Sequence, residues 1–269
     1  MTFVHVDLAD RIGTLTLDRP AKANSLCHAL LAELGAGLVD LVDRGARVVV
    51  LRAQPGVKVW SAGYDIDELP SDHDPLSWEE PLEDVLRKVQ VVPVPVIAMI
   101  EGSVWGGACD LVLTCDITIG SERASFALTP AKLGLAYNPS GLNHVVNVAG
   151  LHKAKEMLFT ARQVTADDAL RSGILNHCAP TDELEAFTYD MATTIARNSP
   201  AAIRSMKEQF RLLTVGQPLD PERWERLQSL RRASYGGADY AEGVAAFHEK
   251  RHPEFGDLTW HEVPDRRHR

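Results

Sequence analysis

Trp60-Ser61-Ala62-Gly63-Tyr64-Asp65 and Gly102-Ser103-Val104-Trp105-Gly106-Gly107-Ala108-Cys109-Asp110 are two glycine-bearing turns, each downstream of an apolar strand-like run, 48–51 for the first and 96–100 for the second. Glycine lets a backbone approach a ligand closely and take dihedrals closed to other residues, and the first N–H groups of a helix have no internal partner. One such turn is ordinary, since glycine closes turns in every fold. Two of them, each able to lead into a helix, supply converging N–H donors of the kind that hold a carbonyl oxygen as it gains charge.

Outward from these turns, strand and helix signals alternate. Strands are expected at 2–8, 12–17, 48–51, 96–100 and 116–119, and helices at 27–43, 76–91 and 107–114. That alternation predicts a layered α/β core with parallel strands. From Pro139 onward the pattern is largely helical, at 153–160, 165–172, 183–197, 201–213, 221–234 and 240–250. Asp182 and Glu185 stand at capping-box spacing, and Ser199-Pro200 suits a helix start. The sequence shows no repeat and no low-complexity linker.

With 269 residues, 45% of them hydrophobic, the chain can bury a sizeable core. Neither a run of about eighteen apolar residues, enough to span a bilayer, nor the pattern of a signal peptide is seen, so a soluble, cytoplasmic protein with no membrane partner is expected. A net charge of −9 and a pI of about 5.6 argue against nucleic acid as a partner. Asp65, Asp67, Glu68, Asp72, Asp74, Glu79, Glu80, Glu83 and Asp84 crowd one segment, read as a solvated loop and helix face. Arg266, Arg267 and Arg269 form a basic end. Cys27, Cys109, Cys115 and Cys178 lack metal-type spacing and read as buried thiols; His28, His144, His152 and His177 likewise show no ligand spacing and read as ordinary core or surface residues.

The whole pattern resembles the crotonase (enoyl-CoA hydratase/isomerase) superfamily. The likeness runs from Leu15-Thr16-Leu17-Asp18-Arg19-Pro20 and Lys22-Ala23-Asn24-Ser25-Leu26 through Ser61-Ala62-Gly63-Tyr64-Asp65-Ile66 and the Gly106-Gly107 turn. It continues at Phe126-Ala127-Leu128-Thr129-Pro130-Ala131-Lys132-Leu133-Gly134 and ends at Phe247-His248-Glu249-Lys250-Arg251-His252-Pro253-Glu254-Phe255. The resemblance implies an α/β fold with the crotonase (ClpP-like) ββα spiral core over residues 1–195. It also implies a C-terminal helical trimerisation region over 196–269, packing on the core and on neighbouring subunits of a homotrimer or dimer of trimers. An acyl-CoA is the implied substrate, bound by Lys22, Ala23, Ser25, Ala62, Gly63, Asp65, Ile66, Thr129, Pro130, Asn138 and Lys250. The backbone of 22–26 and Ala62 would take the adenine, and Lys250 would lie near the CoA phosphates.

Hydratases of this superfamily carry two glutamates that position and ionise water, as general acid/base chemistry requires. Here the second glutamate position is Pro130 and the first is Asp110. Proline transfers no proton, and an aspartate retracts its carboxylate by roughly 1.5 Å, a misplacement of the order that costs about 100-fold. Efficient hydration is therefore not expected. A substrate carrying its own carboxylate gains from the loss, because like unit charges about 4 Å apart repel by roughly 4 kcal/mol at an intermediate dielectric.

The run from Lys58 to Pro70, Glu101 to Gly107, Leu128-Thr129-Pro130 and Leu135-Ala136-Tyr137-Asn138 resembles the decarboxylases of the superfamily, whereas most members carry proline and glycine where Tyr137-Asn138 stand. The resemblance implies decarboxylation of methylmalonyl-CoA to propionyl-CoA and CO2. Tyr64 and Gly107 would hold the thioester oxygen through their N–H groups, and Tyr137 would orient the carboxylate, with Asn138 and Thr129 as polar helpers. The chain departs from that pattern twice, since those enzymes have histidine at the Tyr64 position and glutamate at the Asp110 position. Water, Tyr64 and Asp110 are the candidate proton donors to the enolate, and the sequence does not choose among them; Asp110 is equally readable as a structural helix residue. No metal, nicotinamide or flavin motif is present, and no cofactor is expected, since the thioester is itself the electron sink. Two alternatives stand beside this reading: another crotonase activity, on a different malonyl-type thioester or as a hydratase or isomerase, and a catalytically silent acyl-CoA-binding subunit.

Overall fold

The run 48–53 is buried at every position, which a parallel strand covered on both faces requires of its sequence. A computed structural model describes residues 2–70, 74, 76–214 and 221–256. The basic end and Asp72 lie outside the described residues. In chain order the strands are β1 (Val4–Ala9), β2 (Ile12–Leu17), β3 (Val48–Ala53), β4 (Val59–Ser61), β5 (Val96–Ile100), β6 (Ser103–Trp105), β7 (Ile117–Ser121), β8 (Ser125–Ala127), β9 (Val164–Thr165) and β10 (His177–Ala179). The helices are α1 (His28–Asp43), α2 (Pro81–Val91), α3 (Gly107–Thr114), α4 (Pro139–Thr160), α5 (Ala166–Arg171), α6 (Leu184–Arg197), α7 (Pro200–Thr214), α8 (Pro221–Tyr235) and α9 (Ala238–Glu249).

Two sheets organise the core. The larger runs β1-β2-β3-β5-β7-β10 and is parallel except for the β1–β2 hairpin. Strand alternation sends Val49 and Leu51 to one core, with Leu30, Leu34 and Leu38 of α1, and Val48 and Val50 to a second, with Leu184 and Ala192 of α6. The smaller sheet runs β4-β6-β8-β9, its first three strands parallel. Trp60 fastens it to the larger sheet: the side chain is fully buried and its indole Nε1 donates to the Met99 carbonyl at 2.8 Å. Among the described residues no helix is long and apolar enough to cross a membrane.

The small sheet corrects the placement of the two glycine turns. They follow β4 and β6 rather than the longer runs at 48–51 and 96–100. Strands of three residues carry too little alternation to be read from sequence. Because β4 and β6 are adjacent and parallel, both turns emerge side by side at the C-terminal edge of one sheet, where open α/β sheets bind ligands.

Other expectations need correction too. Helix α2 starts at Pro81 rather than 76, and α4 starts at Pro139, where the Pro-Ser-Gly opening hid a helix that Asn138 caps by accepting from Gly141 N at 3.0 Å. Gly150, at φ 76°, kinks α4. The capping box at Asp182 is not made: Glu183 precedes α6 without a side-chain cap, while Thr181 Oγ1 donates to Glu122 Oε1 at 2.8 Å. Within the acidic segment, Asp65, Glu80 and Glu83 are buried rather than solvated. Cys27 and Cys109 are buried and Cys115 is partly so, but Cys178 is exposed on the sheet-edge strand β10.

The C-terminal helices divide by what they touch. Arg231 of α8 donates to the Leu76 carbonyl at 3.1 Å and pairs with Asp74 at 2.5 Å. Ser234 and Tyr235 donate to the carbonyls of Gly134 and Ala136, both at 2.9 Å. These bonds hold the segments that wall the site described below. Helix α7 is different, with no residue of its own buried and Met206, Phe210, Leu212 and Leu213 exposed.

Candidate active site

Gly63 and Gly106 make the juxtaposed turns possible. Gly63 sits at φ 88°, and a Cβ there would lie 2.5 Å from the Trp105 carbonyl oxygen, so β4 and β6 come this close only with glycine at the crossing. Gly106 takes φ 49° and ψ −124°, a left-handed corner that turns β6 into α3, and its N–H is tied to the Ala127 carbonyl of β8 at 2.8 Å. Past each corner the next amide is left over. Among the described residues, neither Tyr64 N nor Gly107 N donates in a turn, loop or cap bond. A Cβ built on Gly107 would lie 3.7 Å from Tyr64 N, so the two amides are neighbours across the turns.

Two connected cavities open here. The outer cleft, about 500 Å³, is lined by Lys22, Ala23, Ser25, Ala62, Asp65, Ile66 and Thr129, all named from sequence, and by Trp105, Lys132 and Phe247, which were not. The inner chamber is about 80 Å³ and shares Ala62, Tyr64, Ile66, Thr129 and Leu133 with the cleft. Its remaining wall is Gly106, Gly107, Pro130 and Tyr137 together with Leu69, Leu76, Leu82 and Leu135. No Asp, Glu, Lys, Arg or His lines it among the described residues.

The polar residues around the cleft are mostly committed to one another. Arg19 Nη1 binds Asp65 Oδ2 and Ser25 Oγ, both at 2.6 Å, which fixes the first turn against the loop preceding α1. Burial works against the Asp65 carboxylate, yet the Arg19 bond and charge hold its pKa below the ordinary value. Lys22 pairs at the surface with Asp67 at 2.9 Å. Lys250 ends α9 in a left-handed conformation and is exposed; it lines neither cavity, while Phe247, one turn earlier, lines the cleft.

Tyr137 and Asn138 have opposite fates. The Tyr137 ring faces the chamber, and its hydroxyl is buried without a hydrogen-bond partner. Burial, then the nearby charge of Asp110, pushes that phenol's pKa well above its ordinary value, so it is a donor throughout the working range. Asn138 is 2% exposed, and besides capping α4 it donates to Glu83 Oε1 at 2.5 Å and to the Leu76 carbonyl at 3.4 Å. It lines neither cavity, so the expectation that it touches the carboxylate is corrected: its amide is consumed in building the wall. Asp110 is also 2% exposed and stands behind Tyr137, outside the chamber lining, with His144 Nδ1 2.7 Å from its Oδ1. The Tyr64 phenol is half buried against His28 Nε2 at 2.8 Å.

The sequence profile of the Enoyl-CoA hydratase/isomerase family matches residues 8–258. The chain belongs to the enoyl-CoA hydratase/isomerase family. It is 41% identical over 254 residues to the methylmalonyl-CoA decarboxylase of Escherichia coli (strain K12), covering 94% of this chain and 97% of that one. A probable enoyl-CoA hydratase of Mycobacterium leprae is 31% identical over 254 residues, covering 93% and 96%. A solved methylmalonyl-CoA decarboxylase in complex with 2-nitronate-propionyl-CoA superposes with a TM-score of 0.94 at 41% identity, covering 96% of this chain and 99% of that one. Trp105, Lys132 and Leu133 lay inside motifs already read, so family membership points to them. His144 carried no sequence signal, because its partner Asp110 is brought to it only by the packing of α3 on α4.

Proposed function

We propose that this enoyl-CoA hydratase/isomerase family member decarboxylates methylmalonyl-CoA to propionyl-CoA and CO2. The observation that carries the reading is the inner chamber itself: the residues of two unengaged amides and the Tyr137 ring line a space that, among the described residues, no ionisable carboxylate lines. A hydratase needs carboxylates in that space to handle water. A decarboxylase needs them absent, because its substrate brings its own.

The thioester oxygen sits between Tyr64 N–H and Gly107 N–H. Tyr137 donates its hydroxyl to the substrate carboxylate and holds the breaking C–C bond perpendicular to the thioester plane. As that bond breaks, CO2 leaves and the electron pair passes into the thioester as an enolate, whose oxygen charge the two amides stabilise more than they stabilise the ground state. The α-carbon then takes a proton to give propionyl-CoA. Water and Tyr64 are the favoured donors for this step, since Tyr64 lines the chamber whereas Asp110 does not and stands behind Tyr137. CoA fills the outer cleft along Ala23, Ser25 and Ala62, and needs no cofactor beside it. A cytoplasmic location fits four cysteines that are all unpaired.

Purified protein is expected to release CO2 from methylmalonyl-CoA, to act more slowly on ethylmalonyl-CoA because the chamber is small and walled by five leucines and a proline, and to lose no activity to a chelator. Coupled detection of CO2 and chromatography of the acyl-CoA product check this. Hydration of crotonyl-CoA without decarboxylation points instead to a hydratase, and binding without turnover of either to a silent subunit.

The same proposal includes a homotrimer or a dimer of trimers. Helix α7, which buries no residue of its own and exposes Met206, Phe210, Leu212 and Leu213, supports subunit contact there. Sedimentation equilibrium is expected to give three or six times the 29.5 kDa chain mass; a monomer overturns it.

A further inference from the structure

Behind Tyr137 lies a buried polar layer that the decarboxylation scheme leaves unused. His144 Nδ1 stands 2.7 Å from Asp110 Oδ1, Gln90 Nε2 stands 2.8 Å from His144 Nε2, and Thr114 Oγ1 stands 3.3 Å from His144 Nδ1. The other carboxylate oxygen faces the tyrosine. A Cβ placed on Gly141 would fall 2.7 Å from Asp110 Oδ2 and 2.3 Å from Tyr137 Cε1, so a residue without a side chain leaves these two groups flanking the same point. The Tyr137 hydroxyl makes no well-formed hydrogen bond, yet it stands close enough to the Asp110 carboxylate for that contact to raise its pKa.

An uncancelled carboxylate at this depth would act twice against catalysis. It would draw the Tyr137 proton toward itself, and its charge would oppose the carboxylate of an incoming substrate. We infer that His144 is a positioning residue for the decarboxylation: bound to Asp110 as an imidazolium, it cancels that charge and competes with Tyr137 for the carboxylate, leaving the phenol available to the substrate. This rests on the decarboxylase reading above.

As an imidazolium His144 donates from both ring nitrogens, so the charged form needs the Gln90 amide turned by half a turn to present its oxygen, in place of Nε2, to His144 Nε2. Burial alone would discharge His144, but the Asp110 bond and charge, with the charge of Glu83, hold its pKa above the ordinary histidine value. Glu83 is itself raised, by burial and then by Asp110, while Asn138 and Ser140 donate to it. One edge of His144 meets a separate cavity of about 270 Å³ that also faces Asp116, Lys207 and Arg211. Lys207 is bound to Asp116 at 2.7 Å and Arg211 to Glu208 at 2.7 Å, so the charges of both cations are balanced locally. With a raised pKa, the ion pair is complete below the ordinary histidine range and is lost as pH rises through the raised value. Activity should carry an alkaline limb from that loss.

The test combines His144→Asn, Asp110→Asn and the double variant. Each is measured for decarboxylation of methylmalonyl-CoA across pH, and for affinity toward propionyl-CoA and the carboxylate-bearing 2S-carboxypropyl-CoA. His144→Asn should lower kcat/KM at least about tenfold near neutral pH and abolish the alkaline limb, since it leaves a buried charge unpaired. It should weaken 2S-carboxypropyl-CoA while sparing propionyl-CoA. Adding Asp110→Asn to it should recover most of that loss, because no charge is left to cancel. A His144→Asn protein with the native pH profile and native affinity ratio overturns the inference, as does a double variant no better than the single one. If the native protein binds both CoA ligands yet releases no CO2, the functional reading fails, and the affinity ratio alone still decides the role of His144. If His144→Asn does not fold, Asp110→Asn decides: loss of the alkaline limb supports the inference and its persistence overturns it.

Discussion

Gly107→Pro is expected to lower decarboxylation by about 100- to 1000-fold in a protein that still folds, the range typical of losing one oxyanion donor. Proline suits the first position of a helix, which is where Gly107 stands in α3, because the N–H there has no helical partner to lose. That same N–H is the one assigned to the thioester oxygen. The Cβ that either variant adds meets the side-chain methyl Leu82 Cδ2 at 2.9 Å before any backbone atom, so a small shift of one leucine accommodates it. Gly107→Ala is the matched control, meeting the same methyl but keeping the amide, and it should retain far more turnover. Circular dichroism and sedimentation establish that both variants are folded and assembled. Equal turnover in the two moves the oxyanion site elsewhere.

Tyr137→Phe is expected to lower decarboxylation about 10- to 100-fold, since a hydrogen bond to a charged partner is worth roughly 1.5–3 kcal/mol. Its thermal stability should hold or rise slightly. The hydroxyl is buried and makes no well-formed hydrogen bond in the free protein, only a contact with Asp110, so removing it costs little and relieves an unsatisfied group. Propionyl-CoA, which has no carboxylate to orient, should bind as before. This combination separates an orienting tyrosine from a core one, whose loss would show in the melting temperature and leave turnover per folded molecule intact. Normal turnover with a lowered melting temperature refutes the orienting role.

Much of the site was legible because its parts are local in sequence. Ala62-Gly63-Tyr64, Gly106-Gly107 and Thr129-Pro130 each carry their own turn chemistry, and Pro130 declares by composition alone that no proton transfer occurs there. What eluded the sequence depends on contacts between distant segments. Asn138 reads as a polar neighbour of Tyr137, but alternation along an extended segment turns it the other way, into the cap of α4 and the Glu83 contact. Leu82 and Leu76 look like ordinary core residues of a helical stretch, yet both wall the chamber.

The sequence by itself determined the family, the α/β class with parallel strands, the two glycine corners and the absence of glutamates from the hydration positions. Each of these is written in residue type and short spacing, where local sterics and the chemistry of single side chains decide. Only the tertiary structure decided that the corners leave from adjacent three-residue strands, that Asp110 lies behind Tyr137 instead of in the chamber, and that His144 meets it. Those facts follow from close packing between elements far apart in the chain, and a strand too short to show a period or a histidine thirty-four residues from its partner leaves no local trace of the contact it will make.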